Sequence, residues 1–287
     1  MSCTRYAFYS YFRVYAMNNQ KPTIITLSSD FEKQSQGVGN MEGVIYAVNP
    51  NAHVIHLMHG IKAFDIISAA RTMETIVYMP IGFHVCVVDP GVGTKRRPII
   101  VKVKRGDYFI GPDNGCLMST PSLLGGIEKI VEITNKKYLL AEVSNIFHGR
   151  DVFAPVAAHL SKGVPIEEFG KEIAISSCIS APYKEATLTN GSIRAIVIHM
   201  NHFGSIHLNI LQNEWDKLRV KLGDSVVLSL GKKKVTIPFF RTFGDVPEGS
   251  GLIMKDDYKR MEVAINQGSF AEKYKVNVGD KITITKK

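Results

Sequence analysis

The chain has 287 residues, 45% hydrophobic and 21% charged, with a formal net charge of +9. That length is more than one core usually fills and suits two domains. No run of about 18 apolar residues occurs, which argues against a helical membrane span. Lysine and arginine are scattered, in short clusters such as Lys95-Arg96-Arg97, Lys232-Lys233-Lys234 and Lys286-Lys287. The charge therefore reads as a solvated surface that attracts anionic metabolites, and no nucleic-acid partner is expected.

Residues 1–20 read as a leader. Ser2 to Ala16 is rich in Tyr and Phe, holds Arg5 and Arg13 and contains no acid. It lacks the continuous apolar stretch and small-residue cleavage site of a secretory signal, and Met17 stands as an alternative start. The α/β domain is predicted over 21–178. Pro22 precedes a short strand, Thr23 to Leu27, and Met41 to Val48 has helical spacing that stops at Asn49-Pro50. His53 to Met58 reads as a strand, Phe64 to Tyr78 as a helix and Phe83 to Val88 as a buried strand. This alternation predicts an α/β layer with a mainly parallel sheet. Ile99 to Val103 and Tyr108 to Ile110 flank Lys104-Arg105-Gly106-Asp107, a hairpin signal, and Val152 to Leu160 is an apolar helix.

Residues 179–190 read as a linker, and 191–287 as a smaller all-β, barrel-like domain. Its predicted strands are Ile193 to Ile198, Ile206 to Ile210, Ser225 to Leu230, Val235 to Phe239, Glu262 to Ile265 and Lys281 to Ile284. Turn signals at Gly223-Asp224, Gly231-Lys232 and Gly279-Asp280 separate them. Cys3, Cys86, Cys116 and Cys178 show no CxxC, which fits a reducing cytoplasm. The nine histidines lack HExxH or similar spacing, so no metal is predicted.

Two segments carry chemistry. The strand ending at Val88 breaks into Asp89-Pro90-Gly91-Val92-Gly93, with Arg96 seven residues after the acid, and Phe147-His148-Gly149-Arg150-Asp151 follows later. An acid at the carboxyl end of a buried strand sits where open α/β sheets bind ligands. Together, Asp89, Arg96 and His148 are one acceptor, one fixed cation and one proton carrier, enough to hold and polarise a water molecule. The bland alternatives are a turn aspartate, a surface arginine beside Arg97, and an ordinary loop histidine.

These segments resemble the adenosine-forming S-adenosyl-L-methionine hydrolases, or SAM hydroxide adenosyltransferases, which are related to the bacterial fluorinase and chlorinase. The resemblance runs from about Thr23 to the C-terminus. It includes Leu27-Ser28-Ser29-Asp30-Phe31, Gly39-Asn40-Met41-Glu42-Gly43-Val44-Ile45, Gly111-Pro112-Asp113-Asn114-Gly115 and His202-Phe203-Gly204. It implies that Asp89, Arg96 and His148 are catalytic and that Asp30, Phe64, Gly149, Asn201, Phe203, Ser205 and Phe243 bind substrate. Asp30 would accept both ribose hydroxyls, and Phe64, Phe203 and Phe243 would flank ribose and adenine. The sequence departs from the pattern at Glu32, Ser35, Gly37, Asn201, Ser205 and Asp256-Asp257-Tyr258-Lys259, so the reaction centre is better kept than the residues expected around methionine and purine.

The resemblance implies attack of a water-derived oxygen on ribose C5′, giving adenosine and L-methionine. S-adenosyl-L-methionine is then the substrate, and no cofactor is needed. Two alternatives are halide transfer and a catalytically weak adenosyl-ligand sensor. In the halogenase relatives a tyrosine matches Asp89 and a serine matches Gly149, and a carboxylate at the nucleophile position repels halide. The resemblance further implies a homotrimer whose site combines the α/β domain of one subunit with the β domain of the next.

Overall fold

The computed structural model describes residues 23–287. The expected leader, with Cys3 and Met17, lies outside them. The chain divides into two compact units after Ala181.

In the first unit, β1 (Ile24–Ser29), β2 (His53–Met58), β3 (Phe83–Val87), β4 (Pro98–Val103), β5 (Tyr108–Pro112), β6 (Ile127–Ile133) and β7 (Gly170–Glu172) form one sheet in the order β2-β1-β3-β5-β4-β6-β7. The pairs β1–β2, β1–β3 and β3–β5 are parallel; β4–β5, β4–β6 and β6–β7 are antiparallel. The expected parallel character is thus confined to one side of a mixed sheet. The predicted hairpin explains the switch. Lys104 to Asp107 is too short for a crossover, so β4 and β5 must run antiparallel. Gly106 takes φ +110° in that turn.

Helix α1 (Gln36–Val48) begins five residues before its predicted start because Ser35 caps it, accepting the Gly37 N–H. Helix α2 spans Ile66–Met73 and tightens into a 3₁₀ segment over Glu74–Tyr78, where one continuous helix was expected. Helix α3 covers Ala154–Ser161. Met41 and Ile45 of α1 and Ala154, Val156, Ala157 and Leu160 of α3 share a core with Ile25, Leu27, Val85 and Val87. Ala69 and Met73 of α2 pack in a second core with Cys86, Val88, Ile99, Val101 and Phe109. Alternate residues of β3 therefore feed cores on both faces, which is why its sequence is apolar throughout. The chain runs from β1 to β2 on one side and returns to β3 on the other. Between the carboxyl ends of β1 and β3 lies the point where the winding reverses.

The second unit contains β8 (Leu188–Thr189), β9 (Ser192–Met200), β10 (Ile206–Leu211), β11 (Ser225–Leu230), β12 (Lys233–Pro238), β13 (Gly251–Lys255), β14 (Arg260–Ile265) and β15 (Lys281–Lys286). Their order is β12-β11-β15-β9-β10-β14-β13, with β8 paired to β9, and all the pairings are antiparallel. A bridge from Phe239 to Ile253 links the two end strands and nearly closes the sheet. β8 takes up residues expected in the linker. Asn190 and Gly191, at φ +51° and +72°, make the tight turn that folds it onto β9. Ile193, Val197, Leu208, Trp215, Val226, Leu228, Val263 and Ile284 fill the interior.

Candidate active site

Asp89 follows β3 and Asp30 follows β1, so both acids stand at the reversal of winding. Asp30 is tied to that edge by its N–H, which donates to Val87 O at 3.4 Å. Its Oδ2 accepts the Phe64 N–H at 3.1 Å, which brings these two predicted residues together. Phe64 holds φ +65° and is 69% exposed. A large aromatic in the left-handed region, presented to solvent, is held there by its surroundings.

The Asp89 turn is braced from two directions. Asn114 Nδ2 donates to Val88 O at 2.8 Å. Gly93, at φ +73°, packs so closely on Asn145 that a Cβ would collide with the Asn145 carbonyl. That contact joins the turn to the loop that carries His148. After His148, the segment Gly149–Phe153 winds as a wide helical turn, with Ala154 N–H bonding to Gly149 O, before α3 begins. Such turns are frequent at functional sites. Asp151 is fully buried and accepts from Ser144 N at 2.8 Å and from Arg150 Nε at 2.6 Å, which fixes both ends of the loop.

The three predicted catalytic side chains meet. Arg96 Nε donates to Asp89 Oδ1 at 3.1 Å, and Arg96 Nη2 donates to Asp89 Oδ2. The same Nη2 donates to His148 Nδ1 at 3.0 Å. Side-chain exposure is 7% for Arg96 and 5% for Asp89, so the pair is nearly dry. Arg97, the other arginine in the run, is occupied elsewhere: it pairs with Asp113 and reaches Ser177 O.

A guanidinium can only donate, so His148 Nδ1 must accept and carry no proton. The remaining hydrogen of neutral His148 is on Nε2. Burial first, and the Arg96 charge second, push its pKa below the ordinary imidazole value. Arg96 Nη1 is buried without a hydrogen-bond partner among the described residues. A guanidinium nitrogen in that state has hydrogens to give to an oxygen, whether of water or of a ligand. The arrangement offers acceptors on Asp89 beside a spare donor.

Gly149 is buried, and a Cβ there would meet Met41 Sδ, Val87 Cγ1 and the Phe147 ring. Its small size serves close packing of the His148 loop on β3 and α1.

The remaining predicted residues lie in the second unit. Asn201, Phe203 and Ser205 share the β9–β10 loop, where Asn201 Oδ1 accepts from Phe203 N at 3.0 Å and Ser205 N at 3.1 Å. Phe203 is 75% exposed. Phe243 opens a single 3₁₀ turn between β12 and β13 and is half-exposed. Glu262, beside this loop, is not among the site residues predicted from the sequence. It is buried on β14, and Asn201 Nδ2 approaches its Oε1 at 3.5 Å. Burial pushes its carboxyl pKa up, while His207 opposes the shift. The available signal was an acid inside the otherwise apolar run Met261 to Ile265.

Among the described residues, no group of three or more His, Cys, Asp or Glu is arranged to hold a metal, and no helix is long and apolar enough to cross a membrane. The acid–arginine–histidine set at the winding reversal of the α/β layer is a hydrogen-bonded group of the kind that small-molecule enzymes place there. The sequence matches the SAM hydroxide adenosyltransferase N-terminal domain over residues 25–170 and the corresponding C-terminal domain over 195–283. It is 33% identical over 266 residues to an (R)-S-adenosyl-L-methionine hydrolase of Salinispora tropica, covering 91% of this chain and 97% of that one. A fluorinase of an Actinoplanes species is 24% identical, with 92% and 97% covered. The crystal structure of an uncharacterized conserved protein from Thermotoga maritima superposes with a TM-score of 0.86 at 32% identity, covering 91% of this chain and all of that one. The chain belongs to the SAM hydroxide adenosyltransferase family.

Proposed function

We propose that this protein hydrolyses S-adenosyl-L-methionine to adenosine and L-methionine, by attack of a water-derived oxygen on ribose C5′. The observation that carries the reading is the Arg96 guanidinium shared between the Asp89 carboxylate and His148 Nδ1. The sulfonium leaves as a neutral thioether, so the leaving group needs no acid and the reaction no cofactor. What the site must supply is a water held in line and shielded from competing solvent. Such positioning is worth on the order of 7–11 kcal/mol in well-oriented systems.

Asp89 is the group suited to accept the water's proton. Its two oxygens each receive one bond from Arg96 and keep further lone pairs. His148, with Nδ1 already accepting, is suited to orient the water oxygen through Nε2–H. Arg96 Nη1 is a second donor suited to the developing hydroxide. Asp30 is read as the ribose acceptor, with Phe64 beside it. Phe203 and Phe243 are read as purine contacts, Asn201 and Ser205 as contacts to the methionine end, and Gly149 as the residue that lets the His148 loop approach.

A halide nucleophile is disfavoured by the Asp89 charge, which would repel it. The Salinispora relative is named for the (R)-sulfonium epimer, and we include that epimer among the substrates. We read the active unit as a cytoplasmic homotrimer, for which light scattering should return the mass of three chains. Incubating the purified protein separately with the (S)- and (R)-epimers and identifying the products tests the activity. Adenosine and methionine in equal amounts are expected from at least one epimer. A 5′-halogenated nucleoside in halide buffer, or no product from either epimer, would overturn it.

A further inference from the structure

A chain of hydrogen bonds runs from helix α1 to the Asp30 loop and is not used by the reaction proposed above. Glu42 of α1 accepts at Oε2 from His56 Nε2 at 3.2 Å. His56 Nδ1 lies 2.9 Å from His59 Nε2, and His59 Nδ1 lies 2.7 Å from Ser29 Oγ. Ser29 Oγ also accepts the Phe31 N–H at 3.3 Å.

Donor and acceptor roles can be followed link by link. A glutamate carboxylate only accepts, so His56 donates from Nε2 and, as a neutral ring, accepts at Nδ1. His59 then donates from Nε2 and accepts at Nδ1. Ser29, whose oxygen already receives Phe31 N–H, directs its hydroxyl hydrogen to His59 Nδ1. All the links agree with both rings neutral. Burial first, then the proximity of His56 and Lys33, push the His59 pKa down to about 4, so its ring is neutral above that pH and the bonds on either side choose the tautomer.

The same two loops are joined by their backbones. Gly60 N donates to Phe31 O at 2.7 Å, Ile61 N to Ser29 O at 3.2 Å, and Phe64 N to Asp30 Oδ2 at 3.1 Å. Ser29 directly precedes Asp30, and His59 begins the segment that ends at Phe64. The His59–Ser29 bond is therefore the side-chain strut beneath the two residues assigned to the ribose.

We propose that His59 is a positioning residue for nucleoside binding: it holds the Ser29–Asp30–Phe31 turn through Ser29 Oγ, with His56 and Glu42 fixing its tautomer. This rests on the reading of Asp30 as the ribose acceptor. Glu42 and His56 are half-exposed, and their hydrogen bonds reach the Asp30 turn through His59.

The test is calorimetric titration of adenosine, which carries the ribose hydroxyls but needs no turnover, into the wild type and into His59→Ala, His59→Asn, His56→Ala and Asp30→Ala. Asparagine places its Oδ1 near the position of His Nδ1 and so keeps an acceptor for Ser29. Loss of one such bond is expected to weaken adenosine by roughly three- to tenfold in His59→Ala. His56→Ala should act in the same direction but more weakly, and His59→Asn should regain most of the affinity. At saturating S-adenosyl-L-methionine, kcat of His59→Ala should stay within about twofold of wild type, because Asp89, Arg96 and His148 are untouched. If Asp30→Ala weakens adenosine and His59→Ala does not, the strut is refuted and the ribose assignment stands. Unchanged adenosine binding in Asp30→Ala overturns both. A His59→Asn chain as impaired as His59→Ala also overturns the strut.

Discussion

Replacing Asp89 with asparagine changes charge and hydrogen-bond polarity with almost no change in volume. In the native site both carboxylate oxygens accept from Arg96, one from Nε at 3.1 Å and the other from Nη2. An amide keeps one acceptor and presents its NH2 group to the other guanidinium nitrogen, so two donors face each other. Arg96 then loses part of its anchorage, and with it the 3.0 Å bond that sets the protonation of His148. Removing an acid–base group typically costs roughly 10²- to 10⁴-fold in rate, or about 2.7–5.4 kcal/mol at 1.36 kcal/mol per decade. Stability should fall as well. Orphaning a fully buried charge costs roughly 3–5 kcal/mol, but Arg96 keeps His148 and the Phe153 ring, so we place the loss at about 2–3 kcal/mol. Single-turnover conversion followed by chromatography of adenosine measures the first effect, and thermal unfolding, at roughly 2–4 °C per kcal/mol, the second. Binding of S-adenosyl-L-methionine should change by less than about tenfold, since Asp89 is assigned to the water. An Asp89→Asn protein that is folded and turns over at the wild-type rate would refute the assignment.

Two further outcomes follow from packing and burial. Gly149→Ala should destabilise by about 1–3 kcal/mol, because the new methyl meets Met41 and Val87, and it should slow turnover by displacing the His148 loop; denaturant titration and the product assay check both. Acidification should destabilise the first unit through His84, which lies in β3 between Thr26 Oγ1 and Asp107 Oδ1, at 3.0 Å from each. Burial pushes its pKa below the ordinary 6.5. The unfolded chain therefore binds a proton first, and stability present above pH 6.5 is lost as pH falls below it. The bonds that hold the Asp107 carboxyl down extend this loss to lower pH. Midpoints of urea unfolding across pH 5–8 should show the decline, and His84→Phe should flatten it.

The meeting of Asp89, Arg96 and His148 was legible because its signals are local. A buried strand that ends in Asp89-Pro90-Gly91 can only turn, and turns at strand ends are where an α/β sheet exposes side chains. Arg96 could be preferred over Arg97 by spacing, but the reason, that Arg97 is held by Asp113, depends on β4 and β5 lying side by side. Other features were hidden by pairing at a distance. His59 meets Ser29 only because β2 lies next to β1, and His84 meets Asp107 across β3 and β5. Helix α1 starts early for a local reason: Ser35 is a cap, a role that the apolar spacing from Met41 onward does not report. Within the second unit, β13 and most of its pairing with β14 escaped because Gly251–Lys255 is short and buried at its centre, so it shows no alternation.

In the proposed reaction water is the nucleophile and C5′ the carbon attacked. Turnover of S-adenosyl-L-methionine in ¹⁸O-enriched water, followed by mass spectrometry of the adenosine fragments, tests it directly. One heavy oxygen is expected in the 5′-hydroxyl and none in methionine. Adenosine with an unlabelled 5′-oxygen would contradict the proposed reaction.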